Sequence, residues 1–149
     1  MSRGRSRSAA RLAAVQALYQ REMEATPIAK LLHEFHQHRL GATIEDATYA
    51  DAEVDFFNDV VKGVDARQAE IDALVSANLG AGWTLDRLDR SLRQILRAGT
   101  YELLARPDIP TGSVIGEYLD VAHAFFEPKE KKFVNGVLDA VARVVRRGV

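Results

Sequence analysis

Three features of this sequence predict an all-α fold. Apolar residues recur at spacings of three and four through most of the chain, the period of a helix with one buried stripe. No run alternates apolar and polar residues as a half-buried strand would. Short breaker segments, such as Arg106-Pro107-Asp108-Ile109-Pro110, separate the periodic runs, as expected for helices joined by short links in bundles. At 149 residues the chain suits one domain, or two small subdomains sharing a core.

Taken in order, residues 1–7 (Met-Ser-Arg-Gly-Arg-Ser-Arg) lack periodicity and are expected as a flexible basic arm. A helix is expected from Ser8, as cap, to about Glu24, with Leu12, Val15, Leu18 and Tyr19 on its apolar face. Pro27 suits the first turn of the next helix, which carries Ile28, Leu31, Leu32 and Phe35 and stops at Gly41. Residues 42–50 lack large apolar groups and read as a loop. Val54, Phe57, Val61, Val64, Ile71 and Val75 keep close to a seven-residue repeat, interrupted by Gly63 and Gln68. They predict one long helix ending at 78–82. Trp83-Thr84-Leu85 starts a short turn capped by Thr84.

Leu88, Leu92, Ile95, Leu96, Gly99 and Leu103 mark a central helix built of good helix formers. Beyond the two prolines, Thr111 is the expected cap of a helix carrying Val114, Ile115, Tyr118, Leu119, Ala122, Phe125 and Phe126. Glu127-Pro128 leads into the last helix, with Phe133, Val134, Val137, Leu138, Val141 and Val145 as its stripe. Gly136 sits inside that helix, where glycine costs roughly 1 kcal/mol relative to alanine. Close helix packing is its expected reason.

The residue inventory argues against an enzyme. The chain has no cysteine, which removes disulfides, thiolate metal sites and thiol nucleophiles. It also lacks a Gly-x-Ser-x-Gly elbow, a Walker loop and a Gly-x-Gly-x-x-Gly turn. His33-Glu34-Phe35-His36-Gln37-His38 resembles a zinc helix only partly, because position 37 is glutamine and the paired histidine is missing. A solvated polar face explains it better. The acids from Glu45 to Asp59 lack the ligand order of a calcium loop. No cofactor is expected, and no apolar run approaches the ~20 residues of a membrane span.

Net charge is −1, but its distribution is uneven. The N-terminus carries Arg3, Arg5, Arg7, Arg11 and Arg21 before any acid, and residues 45–59 carry only acids. The basic arm reads as a disordered tail, a transit peptide or a nucleic-acid-binding arm. The last reading gains from Arg11, Gln16 and Tyr19 on the helix that follows. Single-stranded RNA recognition uses that mixture of cations, hydrogen-bonding groups and flat rings.

Several segments together resemble the NusB family of bacterial transcription antitermination factors. They are Arg11-Leu12-Ala13-Ala14-Val15-Gln16-Ala17-Leu18-Tyr19, Phe57-x-x-x-Val61-x-Gly63-Val64, Leu85-x-x-Leu88-Asp89, and Ile95-Leu96-Arg97-x-x-x-Tyr101-Glu102-Leu103. Asp108-Ile109-Pro110, Val114-Ile115-x-Glu117 and Phe133-Val134-Asn135-Gly136-Val137-Leu138-Asp139 complete the series, and the last is the most specific. The resemblance implies about seven helices in two small bundles packed across each other, at 8–79 and 83–149 of one NusB-like domain. It implies a cytoplasmic, non-enzymatic protein that binds boxA RNA of ribosomal RNA leaders with the ribosomal protein NusE. That pair would join NusA, NusG and RNA polymerase. Some family members also form a homodimer over the RNA surface.

By the same resemblance, Arg3, Arg5, Arg7 and Arg11 match the family's basic motif, with Gln16 and Tyr19 beside it. Lys132, Phe133 and Asn135 complete the RNA surface, and Arg93 and Arg97, four apart, extend it. The arginines here are interspersed with serine and glycine, and Phe126-Glu127-Pro128-Lys129-Glu130-Lys131 departs from the family's more polar, acidic link. A second reading is a NusB-like module serving ribosomal RNA processing or methylation without antitermination activity. A stand-alone methyltransferase is not expected, for want of a cofactor domain and a cysteine nucleophile.

Overall fold

The centre of the molecule is a helix whose every residue from Leu92 to Leu103 is buried. The computed structural model describes residues 3–35 and 47–146, with side chains from 6–35 and 54–146. Among these it forms seven α-helices: α1 (Arg3–Glu24), α2 (Ile28–Phe35), α3 (Ala47–Ala66), α4 (Gln68–Ala77), α5 (Arg90–Ala105), α6 (Thr111–Phe125) and α7 (Pro128–Val145). A 3-10 turn, Leu85–Arg87, precedes α5. The expected all-α class stands.

The N-terminal set is built on α1 against α3, its most extensive pairing, with α2 alongside both. Ala10, Ala13, Ala14 and Ala17 line the buried face of α1 beside Val15 and Leu18. Small side chains on a buried helix face let a neighbouring helix pack close. Phe35 of α2 stacks on Phe57 of α3 with centroids 5.4 Å apart. The C-terminal set is α5, α6 and α7, each against the other two. The two sets cross through α5, which also meets α1, α3 and α4.

Several local expectations are corrected. Helix α1 starts at Arg3, so residues 3–7 form its first turn instead of a flexible arm. Ser8 is no cap; its hydroxyl donates to Glu117 at 2.5 Å. The expected loop at 42–50 is helical from Ala47, and its residues 42–46 lie outside the described ones, as do His36, His38 and Gly41. The single long helix is broken at Arg67 into α3 and α4, where Gln68 interrupts the apolar repeat. Thr111 is the first helical residue, with Pro110 in the cap position. Asp89 is the working cap of α5: its carboxylate accepts from the N–H groups of Ser91 and Leu92.

Two glycine positions show opposite reasons for being glycine. At Gly63 an added Cβ would stand 2.2 Å from ring atoms of Tyr101, so the Tyr101 ring lies across the bare backbone of α3. At Gly136 an added Cβ would meet nothing within 4 Å, and the residue is exposed. The packing reason expected for Gly136 therefore fails.

Candidate nucleic-acid interface

A helix buried on every side must find partners for its polar groups, since an unpaired buried charge costs several kcal/mol. Helix α5 buries Arg93, Gln94, Arg97, Thr100 and Glu102. Their partners decide which cations remain for a ligand.

Arg11 reaches from α1 to Glu102 with a two-pronged contact of 2.9 and 3.0 Å. It also donates to Glu117 at 3.0 Å, and the Tyr118 hydroxyl donates to Glu102. Burial opposes the Arg11 charge, but the hydrogen bond and charge of Glu102 outweigh it and raise its pKa. Burial, then the charge of Glu102, pushes the Tyr118 hydroxyl well above its usual range.

Glu22, near the C-terminus of α1, gathers a second cluster. It accepts from Arg93 at 2.6 and 3.1 Å, from Gln94 at 3.0 Å and from Arg97 at 3.1 Å. Arg97 turns its other edge to both oxygens of Asp72 on α4, at 2.8 and 3.0 Å. Desolvation would raise the Glu22 pKa, but the hydrogen bond and charge of Arg93, then of Arg97, hold it below the ordinary value.

A third cluster closes the far end of α5. Tyr101 donates to Asp59 at 2.6 Å, and Arg106 bridges Asp59 and Asp108. Burial, then the Asp59 hydrogen bond, pushes the Tyr101 hydroxyl up to about 12. Arg7, Arg11 and Arg106 all lie over the Phe56 ring, at 4.9, 4.8 and 5.3 Å from its centre.

Three of the residues expected to contact RNA are paired within the protein. Arg11, Arg93 and Arg97 are 3, 9 and 7% exposed and bind internal carboxylates. Arg93 and Arg97 do share one face of α5, but that face looks onto α1 and α4. Arg7 is half-buried against Phe56. The side chains of Arg3 and Arg5 lie outside the described ones.

The remaining candidates face solvent. Gln16 and Tyr19 are exposed on α1, and Lys132 and Asn135 on α7. Phe133 is half-buried. Gln16 and Tyr19 line a cleft of about 330 Å³ with Met23, Phe35, Ser91 and Phe125. Phe133 lines a second cleft of about 520 Å³ with Trp83, Leu92 and Phe126. The clefts adjoin through neighbours in the chain: Ser91 and Leu92 on α5, and Phe125 and Phe126, whose ring centres are 6.4 Å apart. Gln16 and Tyr19 on one side and Phe133 on the other thus line adjoining clefts at the junction of the two helical sets, while Lys132 and Asn135 line neither. Sequence reasoning missed Trp83, which is 52% exposed and meets Phe133 at 5.9 Å between ring centres.

Fold and surface together define an all-helical protein with exposed amide, lysine and aromatic groups. The NusB family model matches residues 8–143, and the chain belongs to the NusB family. It is 66% identical over 145 residues to the transcription antitermination protein NusB of Sphingopyxis alaskensis, covering 97% of each chain. Identity is 69% over 143 residues with that of Novosphingobium aromaticivorans, covering 96% of this chain and 97% of the other. Among solved structures, NusB of T. maritima superposes with a TM-score of 0.76 at 31% identity, covering 96% of this chain and 92% of that one. A chain from a crystal structure of antitermination factors NusB and NusE in complex with dsRNA gives 0.77 at 26% identity, covering 94% of this chain and 98% of that one.

Proposed function

We propose that this protein is a cytoplasmic transcription antitermination factor that binds single-stranded boxA RNA of ribosomal RNA leaders together with NusE. The observation that supports this most is the pair of adjoining clefts, one lined by Gln16 and Tyr19 and the other by Phe133, in a chain of the NusB family. Its mechanism is assembly. Lysine neutralises phosphate, and Tyr19 and Phe133 offer faces on which bases stack, while Gln16 and Asn135 supply hydrogen bonds to base edges. Arg3 and Arg5 remain candidates for the phosphate path. The loaded RNA–NusE pair then joins NusA, NusG and RNA polymerase. Self-association over the same surface would hide it until RNA arrives. Membership of the domain by both helical sets, at 8–79 and 83–149, fits one surface built across their junction. Among the described residues no helix is long and apolar enough to cross a membrane.

The test is RNA affinity against salt, with and without NusE and with a scrambled strand as control. Tyr19→Ala combined with Lys132→Ala is expected to weaken boxA binding at least tenfold. The salt slope should shrink by about 0.7 for the one lost phosphate contact. Equal affinity and slope in the variant would place RNA elsewhere on the molecule.

A further inference from the structure

The first turns of α1 form a helix that their own sequence opposes. They read Arg3-Gly4-Arg5-Ser6-Arg7, with no acid in the first turn. Cations at a helix N-terminus meet the positive end of its dipole, and Gly4 and Ser6 lower its propensity. Arg3, Arg7 and Arg11 stand four apart, a spacing at which like charges repel on a helix face. Contacts with the rest of the fold must therefore hold these turns. Ser6 and Ala10 are buried. Ser8 and Arg11 both donate to Glu117, and Arg11 also binds Glu102.

One side chain collects the cations of this segment. The Phe56 ring on α3 carries the guanidinium carbons of Arg7 and Arg11 at 4.9 and 4.8 Å from its centre, and that of Arg106 at 5.3 Å. All three fall within the ~6 Å at which a ring face attracts a cation. The ring is 4% exposed, so water does little to weaken that attraction. Carboxylates let the three like charges gather. Glu102 and Glu117 hold Arg11, Asp59 and Asp108 hold Arg106, and Asp108 also feels the charge of Arg7. Arg7 sits one turn nearer the N-terminus than Arg11, so the ring extends the anchored part of α1 toward Arg3.

We propose that Phe56 is a positioning residue for RNA binding, whose ring holds Arg7 and Arg11 and so keeps residues 3–7 in helical register with Gln16 and Tyr19. The proposal rests on the RNA-binding reading above and deepens it. Position 3 lies roughly 20 Å along the helix axis from Gln16, at about 1.5 Å per residue, instead of on a chain free to wander. Arg3 and Arg5 then reach the phosphates of a bound strand from a fixed base. The backbone entropy of ordering them is lost on folding rather than on binding. A strand held at Gln16 and Tyr19 therefore meets the basic turn at a set distance.

The test uses the full chain and labelled boxA RNA, with and without NusE, at a temperature where thermal melts show every variant folded. Phe56→Leu keeps an apolar side chain and removes the ring. It should weaken RNA binding about tenfold, the cost of ordering one further residue on binding. It should also speed amide hydrogen exchange at residues 3–10 while α5 stays protected. Phe56→Tyr keeps the ring and should restore both. Combined with Arg3→Ala and Arg5→Ala, Phe56→Leu should weaken RNA binding no further than those two substitutions do alone. Equal RNA affinity in Phe56→Leu and the parent overturns the positioning role and leaves the RNA-binding reading intact. An equal loss with and without Arg3 and Arg5 assigns the ring to the fold alone and also overturns it. No RNA binding by the parent, with or without NusE, removes both readings together.

Discussion

Replacing Arg97 with alanine separates a structural cation from an RNA contact. Arg97 holds both oxygens of Asp72, at 2.8 and 3.0 Å, and one oxygen of Glu22, at 3.1 Å. Its own side chain is 8% exposed, whereas Asp72 and Glu22 keep 25 and 23%. Breaking a fully buried pair costs about 3–5 kcal/mol. Water reaching the two carboxylates reduces that here, so the loss should be about 2–3 kcal/mol. For a chain of this size that lowers the melting temperature by about 5–12 °C. The variant should be assayed in two ways: urea unfolding for stability, and RNA affinity against salt at a temperature where it is folded. The expected result is a lower urea midpoint with an unchanged salt slope. A slope reduced by about 0.7, with stability near the parent's, would refute the internal role and return Arg97 to the RNA face.

Three further outcomes follow from named contacts. Gly63→Ala should cost about 1–3 kcal/mol of stability by urea unfolding. Its Cβ would stand 2.2 Å from the Tyr101 ring, and overpacking plus a weakened Tyr101–Asp59 bond outweighs the gain in helix propensity. Gly136→Ala should do the reverse and raise stability by about 0.5–1 kcal/mol, because nothing lies within 4 Å of the new Cβ. RNA binding should weaken in that variant, since an exposed glycine in a helix leaves the backbone open to close approach; equal affinity would remove Gly136 from the RNA surface. Glu22 has a folded pKa below the ordinary value of 4.5. Its contribution is complete above that value and is lost as pH falls through the folded pKa. Acid unfolding of Glu22→Gln should therefore show a shallower stability loss below about pH 4.5 than the parent, although the variant starts less stable at neutral pH.

The candidate surface was legible in sequence only for side chains that ended up outside. Gln16, Lys132 and Asn135 each sit off the apolar stripe of their own helix, whereas Tyr19, expected on the apolar face of α1, is 39% exposed. Arg11, Arg93 and Arg97 could not be placed this way. Their partners are 91, 71 and 25 residues distant along the chain, and no local period reports on such a pairing. Trp83 was missed for a related reason. A lone aromatic in a short turn has no periodicity, and only its position opposite Phe133 gives it meaning.

By itself, the sequence determined the helices. Their stripes, the prolines at 107, 110 and 128, and the Asp89 cap act within a few residues, where helix propensity and backbone sterics decide. It also determined the family through short motifs spread along the whole chain. Tertiary structure alone decided which charges are spent inside and which stay free. Burying α5 on all sides forces Arg93 and Arg97 onto Glu22 and Asp72, and Glu102 onto Arg11, because an unpaired charge there would be too costly. Crossing the two helical sets then brings Phe125, Phe126, Trp83 and Phe133 to one junction, and with it the surface proposed here for RNA.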